Sequence, residues 1–368
     1  MLTRFHGIDR HEKYSTIAVL DRKGEEIDFT PRCSDLKGYI DNLGSGDAVV
    51  MEACSGAFYW ADRTEEKGAK CYIIDPHRFR IIKDSWNKTD KQDARNMAQA
   101  LWVYMVTGKY GIPTVYKPEM MIRELRKLYS QYQMLNRQIR MLKNNIQSVL
   151  MENGIHLTRA KKNQLLSVKH GMEIANELEL THAGEVSVKS CLELLWRIEE
   201  EKERIRKEIL LTGEPLKEAV KLLITIKGIT PLVALAFLAD IGDIERFPTL
   251  RKMNAYLGLV PRVKESGGKS KSGHITRESR KLTRTLLTQS IYHVSNASAN
   301  FRKFYGDVKE RRGAGRARIA LIRKLCGVMR RMLLTGECFR WMKEELFEKK
   351  LREYEKELES LKREKKAA

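Results

Sequence analysis

Between residues 125 and 149 the apolar positions Leu125, Leu128, Tyr132, Leu135, Ile139, Leu142, Ile146 and Val149 recur at alternating steps of three and four. A stripe sustained at that spacing predicts one long helix whose seam another helix must cover. A weaker repeat follows through Cys191, Leu195, Ile198, Lys202, Ile205 and Ile209, with a charge at one seam position. The two helices can pair as a hairpin within the chain or with copies in another subunit, and the repeat does not choose. It does divide the chain. We expect an α/β domain over 1–108, a coiled-coil and oligomerisation region over 109–213, a mainly helical domain over 214–345 and a charged helix over 346–368.

Ahead of the repeat, short apolar runs alternate with amphipathic stretches, the pattern of an α/β domain. Strands are expected at Arg4–Asp9, Tyr14–Leu20, Glu25–Phe29, Ala48–Ala53 and Lys70–Asp75, the first three as an antiparallel meander because only turn-like segments separate them. Helices are expected near Leu36–Leu43, Phe58–Lys67 and Thr89–Val103.

Four carboxylates stand out on this frame. Asp9 ends the first strand, and Glu52 interrupts the apolar run Ala-Val-Val-Met-Glu-Ala. Burying such a charge is costly unless it is paired or binds a cation. Asp90 and Asp93 stand three residues apart and so share one helix face, where like charges repel. Taken singly, each has an ordinary explanation: a turn residue, an ion pair, a helix cap. Taken together they suit Mg²⁺, a hard cation that prefers oxygen ligands, with Mn²⁺ able to substitute. Two such ions about 4 Å apart clamp the attacking and leaving oxygens of a phosphodiester.

The partner is suggested by charge. Against 48 Asp and Glu stand 69 Lys and Arg, a formal excess of +21 that attracts polyanions, nucleic acid first. The six cysteines contain no CxxC pair, so neither a zinc knuckle nor a disulfide framework is suggested. No signal-like or membrane-spanning apolar run is present, and we expect a cytosolic protein.

The third section opens with two apolar helices around Gly228–Pro231, which resembles a helix-hairpin-helix offering N–H groups to a phosphate, though a plain tight connection reads the same way. Beyond Pro261 a loop is expected in which serines stand among basic residues. Arg262, Lys264, Lys269, Lys271, Arg277, Arg280, Lys281 and Arg284 there outnumber Glu265 and Glu278, so phosphate should collect. A serine in such a loop attacks phosphorus if a metal or base removes its proton, and otherwise Ser-Gly-Gly is a simple loop. Arg311, Arg312, Arg316 and Arg318 lead into a basic helix with an apolar face, suited to backbone contact or to core packing with snorkelling arginines. The last residues, from about Phe347, read as a helix of balanced charge with a solvated face.

The runs Gly-Ile-Asp-Arg-His-Glu-Lys-Tyr-Ser-Thr-Ile-Ala-Val-Leu-Asp (7–21), Met-Glu-Ala-Cys-Ser-Gly (51–56) and Lys-Thr-Asp-Lys-Gln-Asp-Ala-Arg (88–95) resemble the DEDD transposases of the insertion-sequence-one-ten family. Gly-Leu-Val-Pro (258–261), Ser266-Gly267 and the following Gly-His-Ile-Thr (273–276) are similar to that family's second domain. The resemblance implies an RNase H-like, RuvC-like fold at the N-terminus, Asp9, Glu52, Asp90 and Asp93 as catalytic metal ligands, and Ser266 as nucleophile. It further implies donor and target DNA, a structured noncoding bridge RNA that reads sequence by pairing, and a homo-oligomer, dimer or tetramer, assembling a composite site. Two other readings fit the residues: a RuvC-like nuclease or junction resolvase using water as nucleophile, and a non-catalytic oligomeric scaffold that binds nucleic acid.

Overall fold

The computed structural model describes residues 1–79, 89–266, 269–275 and 279–367, and of 262–266, 269–272 and 274 the backbone alone. The chain divides into two compact units, Met1–Lys117 and Pro118–Ala368.

In the first unit a five-stranded sheet forms from β1 (Arg4–Arg10), β2 (Ser15–Leu20), β3 (Glu26–Cys33), β4 (Asp47–Glu52) and β5 (Lys70–Ile74). Its order is β3-β2-β1-β4-β5. The meander expected from the short turns is present, since β1–β2 and β2–β3 are antiparallel, whereas β4 joins β1 and β5 in parallel. Helices α1 (Leu36–Asp41), α2 (Ala57–Glu66) and α3 (Asp90–Trp102) supply the intervening segments, each within a few residues of its expected place.

Strand alternation decides which face each residue serves. Phe5, Ala18, Ala48 and Val50 bury against Ala94, Met97, Ala98 and Leu101 of α3. Ile8, Ile17, Val49 and Met51 bury on the other face, with Leu36 and Ile40 of α1 and Ala57 and Ala61 of α2. Gly7 shares the α3 face. A Cβ there would lie 2.1 Å from Ala94 O and 2.5 Å from Ala98 N, so only glycine lets the helix backbone rest on β1.

At the opposite end of the sheet from the carboxylates, Asp47 is 1% exposed and receives Arg4 at 2.6 and 2.9 Å, Gly44 N at 2.8 Å and His6 Nε2 at 3.2 Å. Burial opposes its charge, yet the His6 ring, the Arg4 guanidinium and the Gly44 N–H together hold its carboxyl well below the usual carboxylate range. Asp47→Asn is expected to cost about 3 kcal/mol at pH 7, read as a lower urea midpoint, because it strips a buried network of its anion. A depressed folded-state pKa contributes stability above the unfolded value of about 3.9, and that contribution fades as pH falls below it. The gap between variant and wild type should therefore narrow below about pH 4; a gap that persists there unchanged would refute the electrostatic origin.

The second unit is built on helices. The long heptads form α4 (Met120–Glu152) and α7 (His182–Thr212), which pair antiparallel within the chain as a hairpin. Lys143 Nζ meets Glu199 at 2.9 Å and Asn145 Nδ2 reaches Cys191 Sγ at 3.2 Å. The half-buried Lys202 sits where the weaker seam meets the edge of the core. At the far end α5 (Arg159–Leu165) and α6 (Gly171–Glu177) close a small cluster with Ile146, Val149, Val188 and Leu192.

At the near end Leu125, Leu135, Ile205 and Ile209 join the main core with α8 (Lys217–Ile224), α9 (Pro231–Ile241) and α10 (Leu250–Tyr256). Strands β6 (Pro261–Ser266) and β7 (Lys269–Ile275) pair as an antiparallel ribbon, followed by α11 (Leu282–Gln289), α12 (Ile291–Ser295), α13 (Ala299–Thr335) and α14 (Glu344–Ala367). Where the loop was expected, the structure has paired strands. Serine and lysine carry little apolar alternation, so the ribbon is held by its backbone and leaves no trace in hydropathy. α13 is broken at Gly313, whose φ of 80° no helix accommodates. The C-terminal helix is solvated on one side only: Tyr354, Leu358 and Leu361, at helical spacing, enter the core. No helix among the described residues is long and apolar enough to cross a membrane.

Candidate functional site

The parallel pairing of Ile8 with Met51 leaves Asp9 and Glu52 as the next residues on neighbouring strands. By alternation both carboxylates lie on the α3 face, with Phe5 and Gly7 behind Asp9 and Val50 behind Glu52. Thr89 caps α3, its hydroxyl accepting from Gln92 N at 3.2 Å, so Asp90 and Asp93 occupy the first helical turn. There the helix dipole favours anions. The contact at Gly7 brings that turn down onto β1.

Asp90 is drawn towards Asp9 by the β1–β2 turn. His11 Nε2 lies 3.2 Å from an Asp9 oxygen and 3.1 Å from an Asp90 oxygen, and Tyr14 donates to Asp90 at 2.9 Å. The Tyr14 ring packs on His11 with centroids 4.8 Å apart and carries the Arg32 guanidinium on its face. Asp9 is 15% exposed and Asp93 8%. Burial raises the Asp9 pKa; His11 opposes the rise, while the charges of Asp90 and Asp93 add to it. Arg95 points elsewhere, forking onto Glu26 of β3 at 2.7 and 2.8 Å.

One ligand atom each from Asp9, His11 and Asp90 lies within 4.8 Å of the others. Oxygen donors on a strand end and a capped helix, close enough for the helix carboxylates to raise the pKa of Asp9, are chemically suited to a divalent cation. His11 and Tyr14 were not singled out in the sequence. The available signal was an Asp-x-His spacing across a tight turn, which is weak because a turn histidine is usually solvated.

The basic residues are distributed differently. Ser266 ends β6, with Lys269 as its register partner and Lys264 opposite Lys271. The side chains of Ser266, Lys264, Lys269 and Lys271, and all of Arg277, lie outside the described residues. Arg280 and Lys281 follow, half-buried and exposed respectively, and Arg284 donates to Gly258 O at 2.9 Å, tying the ribbon's approach to α11. Arg311, Arg312, Arg316 and Arg318 are exposed on either side of the Gly313 break. Arg312, Arg316 and Arg323 line a cavity with Leu259, Pro261 and Ile275 beside the ribbon.

Known proteins are similar in sequence to this chain along most of its length. A family model described as transposase, the DEDD transposase of the IS110 group, matches residues 6–154. A second, described as transposase IS116/IS110/IS902 family, matches residues 220–306. The transposase for insertion sequence element IS1111A of Coxiella burnetii is 28% identical over 355 residues, covering 91% of this chain and 90% of that protein. A probable family 20 transposase of Pseudomonas aeruginosa is 25% identical over 344 residues, covering 91% and 94%. The transposase for element IS1328 of Yersinia enterocolitica is 26% identical over 247 residues, covering 66% and 69%. The first model spans all four carboxylates and the second spans the serine ribbon, in the same order along the sequence, and the chain belongs to the IS116/IS110/IS902 family of insertion-sequence transposases.

Proposed function

We propose that this transposase cleaves and rejoins DNA strands by metal-assisted attack of Ser266 on a phosphodiester. The observation that carries the metal half is the convergence of Asp9 and Asp90 on His11, with Glu52 on the sheet face that α3 covers and Asp93 in the first turn of α3. Mg²⁺ or Mn²⁺ held by Asp9, Glu52, Asp90 and Asp93 would supply Lewis-acid polarisation of the scissile phosphate. His11 and Tyr14 orient the first and third of these carboxylates.

The serine half rests on the family and on position. Ser266 Oγ gives up its proton and forms a bond to phosphorus, the bridging P–O bond breaks, and the departing strand oxygen takes a proton to become a hydroxyl. Reversal with a different strand hydroxyl rejoins the DNA and frees the serine. Lys264, Lys269, Lys271, Arg277, Arg280, Lys281, Arg311, Arg312, Arg316 and Arg318 hold the backbone, with Arg284 bracing their support. In this reading the metal domain occupies 1–108 and the serine domain 214–345, a homo-oligomer carries the reaction, and a noncoding RNA selects the donor and target by pairing.

The test is cleavage of DNA carrying the element's end and its target, with flanking noncoding RNA and Mg²⁺, in wild type and Ser266→Ala, resolved after denaturing removal of free protein. The expected result is a covalent protein–DNA adduct in wild type that Ser266→Ala lacks together with all strand exchange. If Ser266→Ala cleaves as fast as wild type and neither forms an adduct, water is the nucleophile and the chain works as a RuvC-like nuclease, a reading that the carboxylates alone also satisfy.

A further inference from the structure

The carbonyls of a helix's last turn have no partner inside the helix and lie at the negative end of its dipole. After α8 ends at Ile224, the oxygens of Ile224, Ile226 and Ile229 converge on one point. Lys350 Nζ, brought in from α14, occupies it. The ammonium donates to Ile224 O and, at 3.0 and 3.1 Å, to Ile226 O and Ile229 O. Its three donors thus meet three acceptors.

The rest of the turn is equally fixed. Gly228 has φ of +91°, and a Cβ there would lie 2.8 Å from His293 Cβ and 2.9 Å from Val294 N of α12. Thr225 Oγ accepts Phe339 N at 3.1 Å. Among the described residues no carboxylate pairs with Lys350, so neutral carbonyl dipoles alone answer its charge. Burial accordingly draws the amine down to about 8. A cradle of neutral carbonyls is the chemistry of a weakly hydrated monovalent ion such as K⁺; Mg²⁺ wants carboxylates and smaller geometry.

We propose that the α8–α9 turn is a monovalent-cation site which the chain fills with its own Lys350, so that the C-terminal helix supplies the ion holding the turn in shape. The inference is independent of the strand-transfer chemistry. It differs from ordinary capping because the carbonyl cradle, once emptied, should accept a free ion.

The experiment is thermal unfolding of the full chain in about 100 mM KCl and in choline chloride of equal ionic strength, for wild type, Lys350→Met and Lys350→Gln. Wild type is expected to melt alike in both salts. Lys350→Met should melt lower in choline and regain about 3–5 °C in K⁺, the shift expected of a site with an affinity of about 10 mM. A variant that melts alike in the two salts would overturn the proposal. Should neither variant fold, acetic anhydride labelling of wild type decides. Lys350 is expected to react at least about tenfold more slowly than its exposed neighbour Lys349, as for an amine released less than a tenth of the time; equal rates overturn the cradle.

Discussion

Asp9→Asn is expected to slow strand cleavage and joining by about 10³-fold while leaving the protein folded. Few substitutions of a half-buried residue separate activity from stability so cleanly. In the wild-type protein Asp9 is half-buried beside two further carboxylates, and both its partial burial and those charges raise its pKa. A raised folded-state value means that the ionised form weighs against folding at neutral pH. The amide removes the charge and keeps the shape, so in EDTA the variant should melt at or above the wild-type temperature even though it has lost a ligand. Cleavage assayed on a denaturing gel, beside melting in EDTA, checks both halves. Wild-type cleavage by Asp9→Asn would remove the residue from the chemistry, and lost cleavage accompanied by a melting temperature several degrees lower would assign it a structural role.

Gly7→Ala should damage the same reaction without touching a carboxylate. The added methyl would stand 2.1 Å from Ala94 O and 2.5 Å from Ala98 N. Both are helix backbone and cannot rotate away, so α3 must lift from β1. Overpacking of this kind costs about 3 kcal/mol. Because Asp90 and Asp93 ride on α3, a displacement of about 1 Å moves them from Asp9 and is worth about 10²-fold in rate. A urea midpoint well below wild type together with a cleavage rate reduced about 10²-fold is the expected pair. A normal midpoint and normal rate would show that the sheet and helix have slack at this contact.

The parts of the candidate site that the sequence singles out are those with a local physical signature. A carboxylate ending an apolar strand, as at Asp9 and Glu52, and a capped helix opening Thr-Asp-Lys-Gln-Asp are visible in any window of ten residues. What escapes is set by the third dimension. His11 and Tyr14 meet Asp90, about eighty positions away, and nothing near them announces it. Gly7 looks like a weak link in a strand until the helix that lies on it is in view. The heptads predict two long helices, but the same seam serves a partner chain or a hairpin, and it is the shared core residues and contacts such as Lys143–Glu199 and Asn145–Cys191 that show it closes on itself. The ribbon at 261–275 is held by backbone pairing among serines and lysines, which hydropathy does not register.

The closed hairpin also works as a measuring rod. α4 runs unbroken for 33 residues, about 50 Å at 1.5 Å per residue. Its near end is anchored in the main core and its far end in the separate cluster around Ile146 and Trp196, where the indole donates to Leu166 O at 3.0 Å. A two-helix strut bends far less than a loop of equal reach. Whatever docks at its tip is thus held at a fixed offset of about 25 Å beyond Leu135, where α4 leaves the main core, about seven stacked base pairs at 3.4 Å each, and lengthening α4 and α7 by matched heptads would move that mark outward in steps of about 10 Å.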